Sequence, residues 1–123
     1  MSYINTVLVV DDAAFVREML HFMLTNAGYH TLPGVDGNDA LTFFDGRDID
    51  LVVTDLNMPG MDGLELITKI KSNEHYKYTP IVLFVADDEA DKNRYRKIPG
   101  VTTVFDKKNI KEKLLPTVRK MIG

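Results

Sequence analysis

Leu51-Val52-Val53-Thr54-Asp55 is an apolar run that ends on a carboxylate, and Leu56-Asn57-Met58-Pro59-Gly60-Met61-Asp62-Gly63 follows it directly. The run has the length and β-branched content of a strand buried on both faces. Pro59-Gly60 and Asp62-Gly63 are turn pairs, so the chain leaves the strand through a loop. Two other runs end in a similar way. Val7-Leu8-Val9-Val10 delivers Asp11 and Asp12, and Thr103-Val104-Phe105-Asp106 delivers Lys107. If these runs are neighbouring parallel strands, Asp11, Asp12, Asp55 and Lys107 emerge at one carboxyl-terminal sheet edge. Carboxylates gathered there repel one another unless a hard divalent cation sits among them. Such a cation would attract a phosphoryl group, which Lys107 could neutralise further.

Working outward, strands are expected near 6–11, 30–32, 50–55, 81–85 and 103–105, the second of them weak. Helical spacing fills the intervals. The first helix, 14–27, carries Val16, Leu20, Met23 and Ala27, and Gly28 stops it. A short helix at 38–44 follows the Asp36-Gly37 turn. The helix at 64–72 turns Leu66, Ile67 and Ile70 inward. A polar, poorly patterned helix at 88–98 ends at Pro99-Gly100. The last helix presents Ile110, Leu114, Val118 and Met121 on one face. An interior proline loses a hydrogen bond and costs about 3 kcal/mol. Pro116 therefore predicts a kink, or a helix that starts only about one turn before it. Tyr76 and Tyr78 fall in the loop before the fourth strand. Five strands alternating with five helices indicate an α/β fold, a three-layer α/β/α sandwich around a parallel sheet with right-handed crossovers. Ligands of such sheets bind beyond the carboxyl ends of the strands, where strand order reverses.

At 123 residues one domain is expected, spanning 1–123, and 45% hydrophobic with 27% charged residues suits a soluble globular protein. The absence of cysteine excludes disulfides, a thiolate nucleophile and thiolate metal sites. No basic segment leads into a long apolar one, so no signal peptide is expected. No apolar run approaches the roughly 20 residues of a membrane helix, and a cytoplasmic location is expected. The net charge of −3 hides an asymmetry. Residues 1–90 hold 5 Lys and Arg against 15 Asp and Glu, whereas residues 91–123 hold 10 against 3. The basic C-terminal third suits an acidic partner surface, or is a solvated face balancing an acidic half. It lacks a recognition helix and interleaved aromatics, so nucleic acid is not expected as a partner. His21, His30 and His75 have no ligand spacing and are read as non-functional.

Asp11-Asp12 after one strand, Asp55-Leu56-Asn57-Met58-Pro59-Gly60-Met61-Asp62-Gly63 after another, and Lys107 together resemble the receiver domain of two-component response regulators. Segments 11–17 and 55–63 are most similar to the single-domain, CheY-type chemotaxis regulators. The resemblance covers essentially the whole chain. It implies a flavodoxin-like sheet in strand order 2-1-3-4-5 and no effector domain. Asp55 would be the phosphoacceptor, taking its phosphoryl group from a phosphohistidine of a sensor histidine kinase. Mg²⁺ would be held by Asp12, Asp55 and the backbone carbonyl of Asn57, with Asp11 acting mostly through water. Lys107 and the backbone N–H of Ala86 would meet the phosphoryl group. These residue types suit a reaction that needs alignment and charge neutralisation more than covalent machinery. Taken alone, Asp11 and Asp12 could be a helix cap, Asn57 a turn residue, and Lys107 with Lys108 a solvated pair.

Three positions depart from the family. Val85 stands where receivers usually have Thr or Ser. Val104 stands where they have Tyr or Phe, and Phe105 should point to the opposite face. Lys108 stands where they have Pro, so a trans Lys107–Lys108 bond is expected. The resemblance makes the missing hydroxyl and ring the usual moving pair. Phosphorylation is therefore expected to persist while the conformational response is weak or built differently. Asp87 lies near the rim, where it could orient an attacking water or repel the phosphoryl group.

Two readings compete with a signalling domain that works through protein contact. A pseudo-receiver binding module acting without phosphorylation is favoured by Val85 and Val104. An aspartate-nucleophile phosphohydrolase would place a second aspartate two residues past the nucleophile, and Asn57 occupies that position.

Overall fold

The computed structural model describes residues 3–86 and 89–123. Its five strands are β1 (Thr6–Val10), β2 (His30–Gly34), β3 (Leu51–Asp55), β4 (Ile81–Val85) and β5 (Thr103–Asp106). All pair in parallel, in the order β2-β1-β3-β4-β5. The five helices are α1 (Ala14–Asn26), α2 (Gly37–Leu41), α3 (Gly63–Lys71), α4 (Glu89–Arg96) and α5 (Ile110–Ile122). Parallel strands need crossovers, and the crossover helices cover both faces of the sheet.

The period-2 alternation of the central strands divides the core into two clusters. Val7, Val9, Leu51, Val53, Val82 and Phe84 face α1 and α5, where Leu20, Leu24, Ile110, Leu114 and Val118 are buried. Leu8, Val10, Val52, Ile81, Leu83 and Val85 face the other layer, with Ala40, Leu66, Ile67 and Ile70. Each such side chain contributes about 1.5–3 kcal/mol when taken out of water. β3 and β4 are buried throughout, which is why their sequences read as unbroken apolar runs.

Several boundaries differ from the sequence expectation. β2 extends through Pro33 and Gly34, since β2 is an edge strand where a missing N–H costs the ladder little. α2 begins at Gly37 and stops at Leu41, capped by the Asp36 carboxylate accepting from Asp39 N–H at 2.7 Å. α5 runs through Pro116 from Ile110, more than a turn and a half upstream, because a 3-10 turn at Lys107–Asn109 feeds straight into its buried stripe. Leu24, absent from the expected face of α1, is fully buried. Tyr76 closes a 3-10 turn, Glu74–Tyr76, and is buried, whereas Tyr78 is exposed. The Tyr76 hydroxyl donates to Arg47 carbonyl and accepts from Gly46 N–H, each at 2.8 Å. Among the described residues no peptide bond is cis and no helix is long and apolar enough to cross a membrane.

Candidate functional site

β1 and β3 are hydrogen-bonded neighbours, with Val10 opposite Thr54, so their carboxyl ends open side by side. Asp11 follows β1 and Asp55 ends β3. Asp11 is completely buried. Its Oδ1 accepts from Ala13 N–H at 2.9 Å, and Arg17 Nη1 on α1 donates to its main-chain carbonyl at 2.6 Å. Asp55 is 4% exposed, and Asp12 stands open to solvent. One carboxylate oxygen from each of Asp11, Asp12 and Asp55 lies within 4.8 Å of the others.

Lys107 reaches across from the end of β5. Its Nζ donates to Asp55 Oδ2 at 2.9 Å and stands 3.1 Å from Asp11 Oδ2. The second contact is an ion pair without hydrogen-bond geometry, which leaves Asp11 Oδ2 buried and without a hydrogen bond. Burial pushes the Asp55 carboxyl above the usual carboxylate range. The Asp11 charge adds to this, against the Lys107 hydrogen bond and the Asn57 backbone N–H. Burial works to lower the Lys107 ammonium, but the Asp55 hydrogen bond and the charges of Asp55 and Asp11 hold it above its usual value. An excess of carboxylates over the Lys107 cation and an all-oxygen donor set together fit a hard divalent cation.

The loop after β3 is shaped for close approach. A Cβ on Gly63 would fall 2.5 Å from the Asp55 carbonyl oxygen, so α3 can start directly against the strand end. Asp62 caps that helix by accepting from Glu65 N–H at 2.9 Å. Asn57 and Ala86 are exposed at the same edge, and Met58 packs into the core. Asp87 lies outside the described residues.

The neighbouring strand ends are apolar. Val85 ends β4 at 1% exposure, and Val104 lies in β5 at 3%. Phe105 points to the other face, where its ring meets Phe84 edge-on at 4.7 Å, as alternation requires.

Residues 7–119 match the response regulator receiver domain family. The chain belongs to that family. This receiver is 34% identical to the chemotaxis protein CheY-3 of Vibrio cholerae over 87 residues, covering 70% of this chain and 67% of CheY-3. Its fold superposes on the chemotaxis response regulator CheY4 of Vibrio cholerae with a TM-score of 0.89. That match has 31% identity and covers 98% of this receiver and all of CheY4. The response regulator TrrA of Thermotoga maritima, in complex with Mg(2+)-BeF, is also similar, with a TM-score of 0.81 and 29% identity over 97% of this receiver and 100% of TrrA.

Sequence reasoning missed two contacts of this receiver. Arg17 holds the Asp11 carbonyl from α1, six residues along the chain. Lys92 on α4 reaches Asp106 at the end of β5, Nζ to Oδ2, at 2.8 Å. Asp106 shares a sheet face with Val104, and a carboxylate there was the available signal of a buried partner. The histidines have structural surroundings. His21 Nδ1 bonds the Thr31 hydroxyl across α1 and β2, and His75 packs edge-on against Tyr76.

Proposed function

We propose that this receiver takes a phosphoryl group on Asp55 from the phosphohistidine of a sensor histidine kinase, in a Mg²⁺-dependent reaction. The observation that carries this reading is Lys107 Nζ bridging the buried Asp55 and Asp11 carboxylates at 2.9 and 3.1 Å. An Asp55 oxygen attacks phosphorus as the phosphorus–nitrogen bond breaks, and the imidazole leaves with the electron pair. Mg²⁺, held by Asp11, Asp12, Asp55 and the Asn57 carbonyl, would supply charge neutralisation and in-line alignment. Lys107 shifts from carboxylate to phosphoryl oxygen, and Ala86 offers a backbone N–H. The Mg(2+)-BeF complex of TrrA supports the same ligand chemistry. Signalling would follow by protein contact, with the exposed basic residues between Arg94 and Lys120 as the candidate face for an acidic partner; Lys92, which opens the basic stretch in the sequence, is buried against Asp106.

A pseudo-receiver reading is favoured by the burial of Val85 and Val104 where a hydroxyl and a ring would serve the response. Incubation with acetyl phosphate, with and without Mg²⁺, separates the two. Mg²⁺-dependent labelling that disappears in Asp55→Asn is the expected result. An unlabelled wild type would leave the pseudo-receiver, and multiple turnovers on small phosphoesters would revive the phosphohydrolase.

A further inference from the structure

Resting on the phosphoacceptor reading of Asp55, we propose that Lys92 is a positioning residue for Lys107. Its buried ion pair with Asp106 fixes the end of β5, and so fixes where the Lys107 ammonium meets Asp55.

β5 is four residues long and lies at the edge of the sheet, with β4 as its only strand neighbour among the described residues. Lys107 must nevertheless reach past β4 to a carboxylate on β3 and hold it at 2.9 Å. Its backbone is set by the residues on either side. On the far side stands Lys108, whose φ is free of the restraint a proline ring would impose. On the near side stands Asp106, paired in register with Val85 at the end of β4.

Asp106 lies on the sheet face shared by Val85 and Val104 and meets Lys92 of α4 there. It is 1% exposed, and Lys92 is 7% exposed. Asp106 Oδ2 accepts from Lys92 Nζ at 2.8 Å, while Oδ1 is buried without a hydrogen bond. A carboxylate left half-satisfied in an apolar layer is a poor source of stability, and well-packed apolar residues commonly do as well or better. What the pair supplies is a directional tether. It joins α4 to the residue before Lys107, which a Val–Leu contact would allow to slide. Val85 offers no hydroxyl for this purpose, and Val104 offers no polar atom, so the strand end takes its polar anchor from the helix.

A double-mutant cycle on the full chain tests this, reading the rate of Asp55 labelling by acetyl phosphate at saturating Mg²⁺. Mg²⁺ affinity is read separately from the Asn57 amide resonance. Lys92→Met is expected to slow labelling about tenfold with Mg²⁺ affinity unchanged, and Lys92→Arg to recover most of the loss. In a Lys107→Ala background, Lys92→Met should slow labelling no further, because the two act in series. Additive losses, or an unchanged rate in Lys92→Met, would overturn the proposal. If Lys92→Met loses its dispersed amide spectrum, the apolar pair Lys92→Met with Asp106→Leu takes its place under the same expectations. An unlabelled wild type overturns the Asp55 reading and this inference together. A labelled wild type with an additive cycle overturns the inference alone.

Discussion

The ends of β1 and β3 and the ends of β4 and β5 meet at one sheet edge, yet they are built from opposite materials. The first pair presents Asp11, Asp12 and Asp55, charged and crowded, with one oxygen left without a hydrogen bond. The second presents Val85 and Val104, sealed into the apolar core, with the Lys92–Asp106 ion pair behind them. If Asp55 is the phosphoacceptor proposed above, chemistry and response would be separable in this receiver: the acidic cluster and Lys107 are gathered at one pair of strand ends, while the other pair carries side chains without polar atoms at Val85 and Val104.

The largest expected effect lies on the charged side. Asp55→Asn should abolish Mg²⁺-dependent labelling as read by intact-mass spectrometry, and residual labelling in that variant would place the phosphoacceptor elsewhere. Lys107→Ala should slow labelling about tenfold to a hundredfold, the value of a charge-assisted hydrogen bond of about 1.5–3 kcal/mol.

On the apolar side, Val85→Thr exchanges a buried methyl for a hydroxyl beside its register partner Asp106 and should lower stability by no more than about 1 kcal/mol in urea melts. That variant also sharpens the contrast. Beryllium fluoride should shift amides around Asp55 and Asn57 in the wild type while leaving α4 and β5 nearly still. The shifts should spread to α4 and β5 when Val85→Thr is combined with Val104→Tyr. Large shifts across both elements in the wild type would show that the two edges are coupled without the hydroxyl and ring.

The smallest effect is one of stability. Burial and the Asp11 charge raise the Asp55 carboxyl in the folded state. Between the ordinary carboxylate value and the raised one, the folded chain holds a proton that the unfolded chain has lost. Stability from this group is full below that window and falls as pH rises through it. In metal-free buffer at neutral pH, Asp55→Asn should therefore melt a few degrees above the wild type. Added Mg²⁺ should narrow the gap by stabilising the wild type, and so should acid below the window. A variant less stable than the wild type at neutral pH would contradict this.

Much of this receiver is legible along the chain because strands buried on both faces must be apolar throughout. Val52, Val53, Leu83 and Phe84 could hardly belong to anything else once turn residues bound their runs. The carboxylates at the ends of those runs were legible for the same reason, since a charge interrupting an apolar run marks either a strand end or a buried partner, as Lys92 is for Asp106. Local signals failed where neighbours from another layer decided the outcome. Leu24 is buried by the sheet, Tyr76 is held by Gly46 and Arg47, and Pro116 sits within a helix that packing keeps continuous.

From the chain alone came an α/β pattern in which Asp11, Asp12, Asp55 and Lys107 each follow or end an apolar run; that those runs are parallel and ordered so as to bring the four to one edge is seen in the sheet pairing. Strand alternation and the position of a residue at a strand end are one-dimensional properties. The tertiary structure decided which atoms meet: Lys107 on both Asp55 and Asp11, Arg17 on the Asp11 carbonyl, and Lys92 on Asp106. Those contacts join segments far apart in the chain, and their energies depend on how much water the surrounding layers exclude.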